Sequence, residues 1–307
     1  MSMPVTGRFA PTPSGRLHLG NLLCALLAYL SARHADGRFL LRIEDLDAPR
    51  CPKCLCDAAI QDLTWLGITW DEPPLFQSER GEIYQRYARQ LEQKGLLYPC
   101  FCTRAQLHAA AAPNRGDDNP VYAGTCAHLP PEEIAERMKT RRPAIRLRVP
   151  DETISIWDCH YGEYSEYMPR DCGDFIIRRS DGLFGYQLAV VVDDALSGVN
   201  EVVRGHDILA STPRQVYIQR MLGFDTPSYI HIPLLEDADG RRLAKRDRDM
   251  DLTSLAKRFS REDILGMLAY SAGILEEERP AAMGELIDVF DWKNVKKEDI
   301  RLGKAIG

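Results

Sequence analysis

Short apolar runs alternate with helical patterns over the first hundred residues, and this alternation constrains the fold more than any other feature of the sequence. Arg8–Ala10 is short and extended, and Phe39–Ile43 is almost wholly apolar, as in a strand buried on both faces. Residues 21–35 place leucine and alanine at helical spacing, and Asp57–Leu66 and Glu79–Lys94 are amphipathic. Strands and helices in this order predict a parallel, doubly wound α/β domain.

The pattern changes between residues 98 and 173 and then returns. This middle block holds a cysteine pair, an alanine-rich segment, a polar loop at 113–120, a charged helix and two alternating strands, Ala144–Val149 and Thr153–Trp157. Beyond it we predict buried strands at 174–179 and 186–196, a further extended segment at 199–205, a helix from about Thr212, and a strand over Tyr229–Leu235.

We therefore expect a Rossmann-like catalytic domain that is split by an insertion. Its first half would occupy residues 1–97, the insertion 98–173, the second half 174–257 and a helical C-terminal tail 258–307.

Composition excludes several classes of protein. Hydrophobic residues make up 45% of the chain and charged residues 27%, which is typical of a globular protein. The longest apolar stretch, Leu22–Leu30, is too short to span a membrane, and the N-terminus does not resemble a signal peptide. The net charge of −6 predicts only local phosphate contacts, and the odd count of nine cysteines indicates a reducing compartment. We expect a soluble, cytoplasmic protein without a membrane partner.

Two motifs far apart in the chain carry the strongest chemical signal. HLGN (18–21) follows a Pro/Gly-rich turn and opens a helix, where backbone amides and the helix dipole attract phosphate. RLAKR (242–246) lies in a basic loop and supplies Lys245, a cation suited to a departing pyrophosphate. Either motif alone is more typical of a capped helix or a solvated charge run. Together, in a doubly wound chain, they predict a nucleotide site that includes His18 and Lys245.

These motifs resemble the HIGH and KMSKS motifs of class I aminoacyl-tRNA synthetases. RFAPTPSG (8–15), LRIEDLD (41–47) and VVRGHDIL (202–209) resemble the glutamyl and glutaminyl branch of that family, and the similarity extends to about Lys257. Asn21 replaces the last His of the first motif, and Arg242 and Ala244 replace Lys and Ser of the second. The resemblance implies ATP accompanied by Mg²⁺, bound by His18, Gly20, Asn21, Arg242 and Lys245, with His18 and Lys245 catalytic.

The resemblance also implies a pocket for L-glutamate. Glu44 would bind the α-ammonium group, while Arg8 and Arg204 would face the carboxylates. An Arg fork fits a carboxylate and would leave a glutamine amide opposite an unpaired cation. The family pattern completes the pocket with Tyr186 and the backbone around Ala10 and Thr12. A structural alternative is that Glu44 forms a surface ion pair with Arg42 or Arg50.

The tail decides the expected substrate within the branch. The chain continues for only about sixty residues after RLAKR, whereas glutamyl-tRNA synthetases carry a further anticodon-binding domain. This resembles the subfamily that attaches glutamate to the queuosine base at the wobble position of tRNA(Asp). The alternatives are a synthetase that charges a tRNA 3′ end and a non-catalytic RNA-binding relative. We expect Asp193 and Asp194 to form a turn or cap rather than a metal site.

The cysteines of the insertion suggest a structural zinc ion. Cys100, Cys102 and Cys126 supply three thiolates. Tyr122, His108 and His128 are candidates for the fourth ligand, and the family resemblance selects Tyr122. Cys51, Cys54 and Cys56 form a rival cluster (CPKCLC), which we interpret as a surface loop.

Three basic stripes are candidates for RNA contact, although each is more typical of a solvated surface. They are Arg137, Lys139, Arg141 and Arg142 in the insertion; residues 241–248; and Lys293, Lys296, Lys297, Arg301 and Lys304 in the tail.

Overall fold

The computed structural model describes residues 4–103, 106, 121–237 and 251–301. The elements are, in chain order, β1 (Thr6–Phe9), α1 (Leu19–His34), β2 (Arg38–Ile43), α2 (Lys53–Trp65), β3 (Leu75–Phe76), α3 (Gly81–Gln93), β4 (Leu97–Cys100), α4 (Pro131–Thr140), β5 (Ala144–Leu147), β6 (Thr153–Asp158), β7 (Gly162–Tyr167), β8 (Phe175–Arg178), α5 (Tyr186–Leu196), β9 (Glu201–Gly205), α6 (Thr212–Leu222), β10 (Ser228–Ile232), β11 (Leu235–Glu236), α7 (Leu252–Leu255), α8 (Arg261–Ala272), α9 (Met283–Val289) and β12 (Ile300–Arg301).

Parallel strands form the centre of the fold, as the sequence predicts. One sheet has the order β1-β2-β3, and a second has the order β7-β6-β10-β9, in which only the β6–β7 pair is antiparallel. The sheets meet where β1 lies beside β9: the Asn200 backbone N–H donates to the Thr6 carbonyl over 3.1 Å. Both strands begin at this junction, and further along Arg8 Nη1 donates to the Val203 carbonyl over 3.1 Å, so the segments that follow β1 and β9 lie at the same end of the sheets.

The expected insertion is built on an antiparallel sheet with the order β4-β5-β8. Strand pairing joins segments that lie on opposite sides of two of the expected domain boundaries. Strand β6, inside 98–173, pairs with β10, and β8, placed in the second half, pairs with β5. The four-part division stays an expectation. The alanine-rich segment and the polar loop fall almost entirely outside the described residues.

One predicted strand is wrong. Residues 186–196 form helix α5, although Val190, Val191 and Val192 favour a strand. The helix is buried on nearly all sides, so its sequence shows no amphipathic period that would distinguish it from a buried strand. The strand predicted over Tyr229–Leu235 is interrupted, since β10 ends at Ile232 and β11 begins at Leu235.

The C-terminal helices complete the main core. Apolar side chains of α1, β2 and α8 form one continuous cluster, in which Leu26, Phe39 and Leu268 are fully buried. The Trp292 indole N–H donates to the Ser31 hydroxyl over 3.0 Å, which fixes the tail against α1. Among the described residues, no helix is both long and apolar enough to cross a membrane.

Candidate functional site

The HLGN segment forms the cap of α1. His18 is the N-cap residue: its Nδ1 accepts the Gly20 backbone N–H over 3.1 Å, and the Asn21 side chain accepts the His18 backbone N–H over 3.3 Å. Because Nδ1 is an acceptor, the neutral imidazole carries its proton on Nε2. A Cβ at residue 20 would lie 3.1 Å from the His18 ring, so glycine allows this ring position.

The structure brings the two ends of the chain together at this cap. Residue 251, which follows the basic loop, forms a backbone β-bridge with His18. Arg242 and Lys245 themselves lie outside the described residues. The first described residue after the RLAKR segment therefore lies directly against HLGN, while the positions of Arg242 and Lys245 stay a prediction.

An ion pair between a half-buried arginine and a buried carboxylate reinforces this junction. Arg16 donates to the Asp62 carboxylate of α2 and to the Thr253 hydroxyl of α7. Burial and the nearby Asp251 carboxylate raise the pKa of Asp62 to about 6, despite the opposing charge of Arg16. One oxygen of the Asp62 carboxylate lies buried without a hydrogen-bond partner.

Two arginines share one carboxylate beneath the predicted glutamate pocket. Arg8 Nε donates to Asp194 Oδ1 over 3.2 Å, and Arg42 Nη1 donates to the same oxygen. All three residues are buried. Burial opposes ionisation of Asp194, but Arg42 and Arg8 together hold the pKa of that carboxyl below its usual range. Arg8 and Arg42 are thus fixed on the floor of the site.

Glu44 lies on the same floor. Its Oε1 accepts Arg42 Nη2 over 3.2 Å, its Oε2 accepts the Thr12 hydroxyl over 3.2 Å, and its backbone N–H donates to the Pro11 carbonyl over 2.9 Å. The turn that holds Ala10 and Thr12 is thereby fixed beside the carboxylate. The ion pair with Arg42 exists, but it is buried rather than on the surface. Burial raises the pKa of Glu44, although Arg42 opposes the rise.

Arg204 enters the site from β9 with neutral partners. Its Nε donates to His231 Nε2 over 3.0 Å, Nη1 donates to Gln215 Oε1 over 2.7 Å, and Nη2 donates to the Thr212 hydroxyl over 2.8 Å. The guanidinium also lies over the Tyr229 ring. Only 4% of Arg204 is exposed, and among the described residues no carboxylate forms an ion pair with it. A buried cation arranged in this way is suited to an anionic ligand.

Tyr186 begins α5 at the edge of this group. Tyr186 is 36% exposed, and loss of solvent around its hydroxyl together with the Glu44 charge raises the pKa of Tyr186. Sequence reasoning missed Asp194 as a positioning residue and assigned Arg42 no role in the pocket. A signal was available for Arg42, since an arginine within a strand buried on both faces requires an anionic partner.

The neighbouring acid, Asp193, has a structural role. Its carboxylate accepts hydrogen bonds from Gln77, Arg80 and Tyr84, over distances of 2.6 to 2.8 Å. Asp193 and Asp194 therefore lie within a helix and face arginines, so the expected turn or cap is wrong.

The predicted zinc ligands converge. Cys100 Sγ lies 3.4 Å from the Tyr122 hydroxyl, Cys102 Sγ lies 3.7 Å from the same oxygen, and Cys102 Sγ lies 3.6 Å from Cys126 Sγ. Bonds of about 2.3 Å to sulfur and about 2.0 Å to oxygen would place the corners of a zinc tetrahedron about 3.5 to 3.8 Å apart. The three distances fit such a site, so these residues could hold zinc as a structural ion.

The alternative fourth ligands are less well placed. His128 is exposed and does not belong to the cluster of potential ligands, and His108 lies outside the described residues. The Tyr122 oxygen accepts the Cys126 backbone N–H over 2.8 Å, which orients it toward the thiols. The geometry agrees with the ligand that the family resemblance selects.

CPKCLC does not form a metal site. Cys51 and Cys56 are buried, whereas Cys54 is exposed, and the three thiols do not form a ligand cluster among the described residues. Cys51 precedes the N-cap of α2 and Cys56 lies in its first turns, the positions of a hydrophobic staple. The segment is therefore part of a helix start rather than a surface loop.

The basic stripes differ in how far they are neutralised. In α4, Arg137 pairs with Glu133 and Lys139 pairs with Glu136. Residues 241–248 lie outside the described part of the chain. In the predicted tail stripe, Lys293, Lys296, Lys297 and Arg301 are exposed; Lys293 pairs with Asp291 and Arg301 pairs with Glu236.

Comparisons with known proteins agree with this geometry. The family model of tRNA synthetases class I (E and Q), catalytic domain, matches residues 4–289. The chain is 47% identical to the glutamyl-Q tRNA(Asp) synthetase of Symbiobacterium thermophilum, over 96% of this chain and 95% of that protein. Identity to the protein of the same name from Nitratidesulfovibrio vulgaris is 44%, over 91% and 89% of the two chains.

A solved structure is also similar. A glutamate tRNA ligase from Elizabethkingia meningosepticum, in complex with its amino acid, superposes with a TM-score of 0.84 at 28% identity. The match covers 99% of this chain and 68% of that chain.

Proposed function

The chain belongs to the glutamyl and glutaminyl family of class I tRNA synthetases, and from this premise we propose that it activates glutamate with ATP and transfers it to queuosine in tRNA(Asp). It is a ligase of the aminoacyl-tRNA synthetase type. The names of the relatives that match over most of their length support the queuosine acceptor. We infer that it acts in the cytoplasm, because ATP and tRNA are both present there.

The charge balance of the buried pocket is the observation that carries the choice of amino acid. Three cations, Arg8, Arg42 and Arg204, and two anions, Glu44 and Asp194, line the pocket, so its lining carries one excess positive charge; the next buried acid, Asp158, is separated from Arg204 by the His231 ring. Glutamate brings one ammonium and two carboxylates and neutralises this excess. Glutamine has no net charge, so it would leave an unpaired buried cation, which is costly.

The pocket also orients the substrate. Glu44 offers a carboxylate to the α-ammonium group, whose positive charge would offset the burial that raises the pKa of this acid. Arg204 has five N–H groups, and three are donated within the protein. One N–H on each terminal nitrogen is left for a ligand carboxylate.

Activation needs little acid–base chemistry. The α-carboxylate of glutamate is ionised at pH 7, so one of its oxygens can attack the α-phosphorus of ATP while pyrophosphate leaves. His18, with its proton on Nε2, can donate a hydrogen bond to the phosphates, and Lys245 would stabilise the leaving pyrophosphate. Gly20, Asn21 and Arg242 would complete the ATP site. Mg²⁺ bound with ATP would offset phosphate charge.

In the second step a hydroxyl of the queuosine base attacks the activated carbonyl, an ester bond forms and AMP leaves. A zinc ion bound by the cysteine cluster would have a structural role and would take no part in either step. It would hold Cys100, Cys102, Tyr122 and Cys126 together beside the antiparallel sheet.

Two assays test the proposal. Glutamate-dependent ATP–pyrophosphate exchange should occur in the wild-type chain and fall sharply in Lys245→Ala and His18→Ala. Full exchange in Lys245→Ala would refute the role of that residue, and absence of exchange in the wild type would favour a non-catalytic RNA-binding protein. Labelled glutamate should be transferred to queuosine-containing tRNA(Asp) and not to tRNA(Glu), because transfer to the 3′ end of tRNA(Glu) would identify an ordinary glutamyl-tRNA synthetase.

A further inference from the structure

A buried Asp–His pair lies behind the glutamate pocket. Asp158 ends β6, His231 lies in β10, and both are fully buried. Asp158 Oδ2 accepts His231 Nδ1 over 2.6 Å and the His231 backbone N–H over 3.0 Å. The other carboxylate oxygen accepts the backbone N–H groups of His160 and Tyr161. Four donors on one carboxylate keep Asp158 ionised, and they lower its pKa although burial opposes this.

This contact fixes the tautomer of His231. Nδ1 must carry a proton to bond the Asp158 carboxylate, and Nε2 must be unprotonated to accept Arg204 Nε. The imidazole is therefore neutral. Burial and the Arg204 charge lower the pKa of His231, although Asp158 opposes them.

The arrangement orients Arg204 without cancelling its charge. Arg8 and Arg42 are each neutralised by a carboxylate that touches them, whereas Arg204 donates, within the described residues, only to a ring nitrogen, an amide oxygen and a hydroxyl and lies over the Tyr229 ring. A carboxylate at the position of the His231 ring would remove the excess charge that favours glutamate. The His231 imidazole holds the Arg204 guanidinium in place and separates it from the Asp158 carboxylate.

We propose that Asp158 and His231 are positioning residues that select glutamate: Asp158 fixes the His231 tautomer, and His231 orients the charged fork of Arg204 toward the substrate carboxylate. This inference rests on the proposed glutamate pocket. The competing interpretation is architectural, because His231 and Asp158 also join β10 to β6. The test must therefore separate glutamate recognition from folding.

The first measurement uses the wild-type chain. The ¹⁵N chemical shifts of the His231 ring should show a protonated Nδ1 and an unprotonated Nε2. A ring protonated on Nε2, or on both nitrogens, would overturn the proposal, since neither form can accept from Arg204.

The second measurement compares variants by glutamate-dependent ATP–pyrophosphate exchange. In His231→Leu the Arg204 Nε–H loses its acceptor, and we expect the KM for glutamate to rise about 10- to 100-fold while the KM for ATP stays within about twofold. His231→Gln supplies an amide oxygen and should recover most of the loss. His160→Leu is the matched control, because the hydrogen bond recorded for this buried ring in the described part of the chain is to a tail carbonyl, and leucine keeps the backbone N–H that donates to Asp158.

The outcomes separate the two hypotheses. A rise in the KM for glutamate that is confined to His231→Leu and relieved in His231→Gln supports the proposal. An equal rise in His160→Leu, an equal change in the KM for ATP, or no change in His231→Leu overturns it. If the leucine variant does not fold, the glutamine variant and the ring shifts still decide. A wild-type chain without glutamate-dependent exchange would refute the proposed function instead.

Discussion

Arg204→Met should separate stability from activity, and Arg42→Met is its matched control. Both side chains are buried, and methionine fills a similar volume without charge. Arg204 donates only to neutral acceptors, whereas Arg42 joins the carboxylates of Asp194 and Glu44. Arg42→Met therefore removes a cation that carboxylates neutralise, whereas Arg204→Met removes a cation that donates only to neutral acceptors.

The magnitudes follow from these contacts. Loss of Arg42 leaves two buried carboxylates short of a partner, which should lower the free energy of unfolding by about 3 to 5 kcal/mol. Loss of Arg204 removes three hydrogen bonds but also relieves the burial of an unpaired charge, so the change should be about 1 kcal/mol. The effect on kcat/KM does not follow the effect on stability. Without Arg204 a substrate carboxylate loses its cation, which costs about 2 to 5 kcal/mol, or about 30- to 4,000-fold in kcat/KM for glutamate.

Chemical denaturation gives the stabilities, and ATP–pyrophosphate exchange at varied glutamate concentration gives kcat/KM. Arg204→Met should also narrow the preference for glutamate over glutamine, since the excess charge is gone. The reasoning is refuted if Arg204→Met destabilises the protein as much as Arg42→Met does, or if it keeps kcat/KM for glutamate within about threefold of the wild type.

Three further substitutions test separate parts of the structure. Cys126→Ser should abolish stoichiometric zinc measured by atomic absorption, while the exposed Cys54→Ser keeps it; undiminished zinc in Cys126→Ser would rule out the cluster. The pKa of Asp62 is about 6 in the folded state and about 3.9 unfolded, so the folded state holds its proton longer. Stability relative to Asp62→Asn should thus fall by roughly 2 to 3 kcal/mol as pH rises from 4 to above 6, and a constant difference across denaturation curves would contradict this. A Cβ at Gly266 would lie 1.7 Å from the Arg279 carbonyl, whereas one at Gly284 meets nothing within 4 Å. Gly266→Ala should therefore lower Tm, and Gly284→Ala should leave it unchanged or raise it; equal Tm values would show that the backbone adjusts freely.

Local patterns predicted the start of the fold well. Strands β1 and β2 and helix α1 lie within a few residues of their predicted positions, because their apolar periods reflect burial directly. The prediction failed at α5, where a helix buried on nearly all sides reads as a strand rich in β-branched residues. The helix also turned Asp193 toward Arg80 and Asp194 toward Arg8 and Arg42, which the predicted strand did not suggest.

The candidate site, like the fold, could be predicted only in part from the sequence. Motif residues such as Glu44 could be named because they resemble a family pattern, but their partners could not. The Glu44–Arg42 pair was visible as a possibility, yet only the folded chain shows that it is buried. His231 had no local signal at all, because its importance comes from contact with Arg204, which lies on a neighbouring strand.

The bridge between His18 and residue 251 has a consequence for how the protein is made. The two bridged residues are separated by more than two hundred positions in the sequence. The cap of α1 therefore gains this contact only after most of the polypeptide has left the ribosome. Contacts so distant in sequence slow folding, because chain entropy is lost before the contact forms. The leucines of α1 also pack in one core with residues of α8, so they lack these partners until the C-terminal helices emerge, and apolar surface exposed in this way makes a nascent chain prone to aggregation.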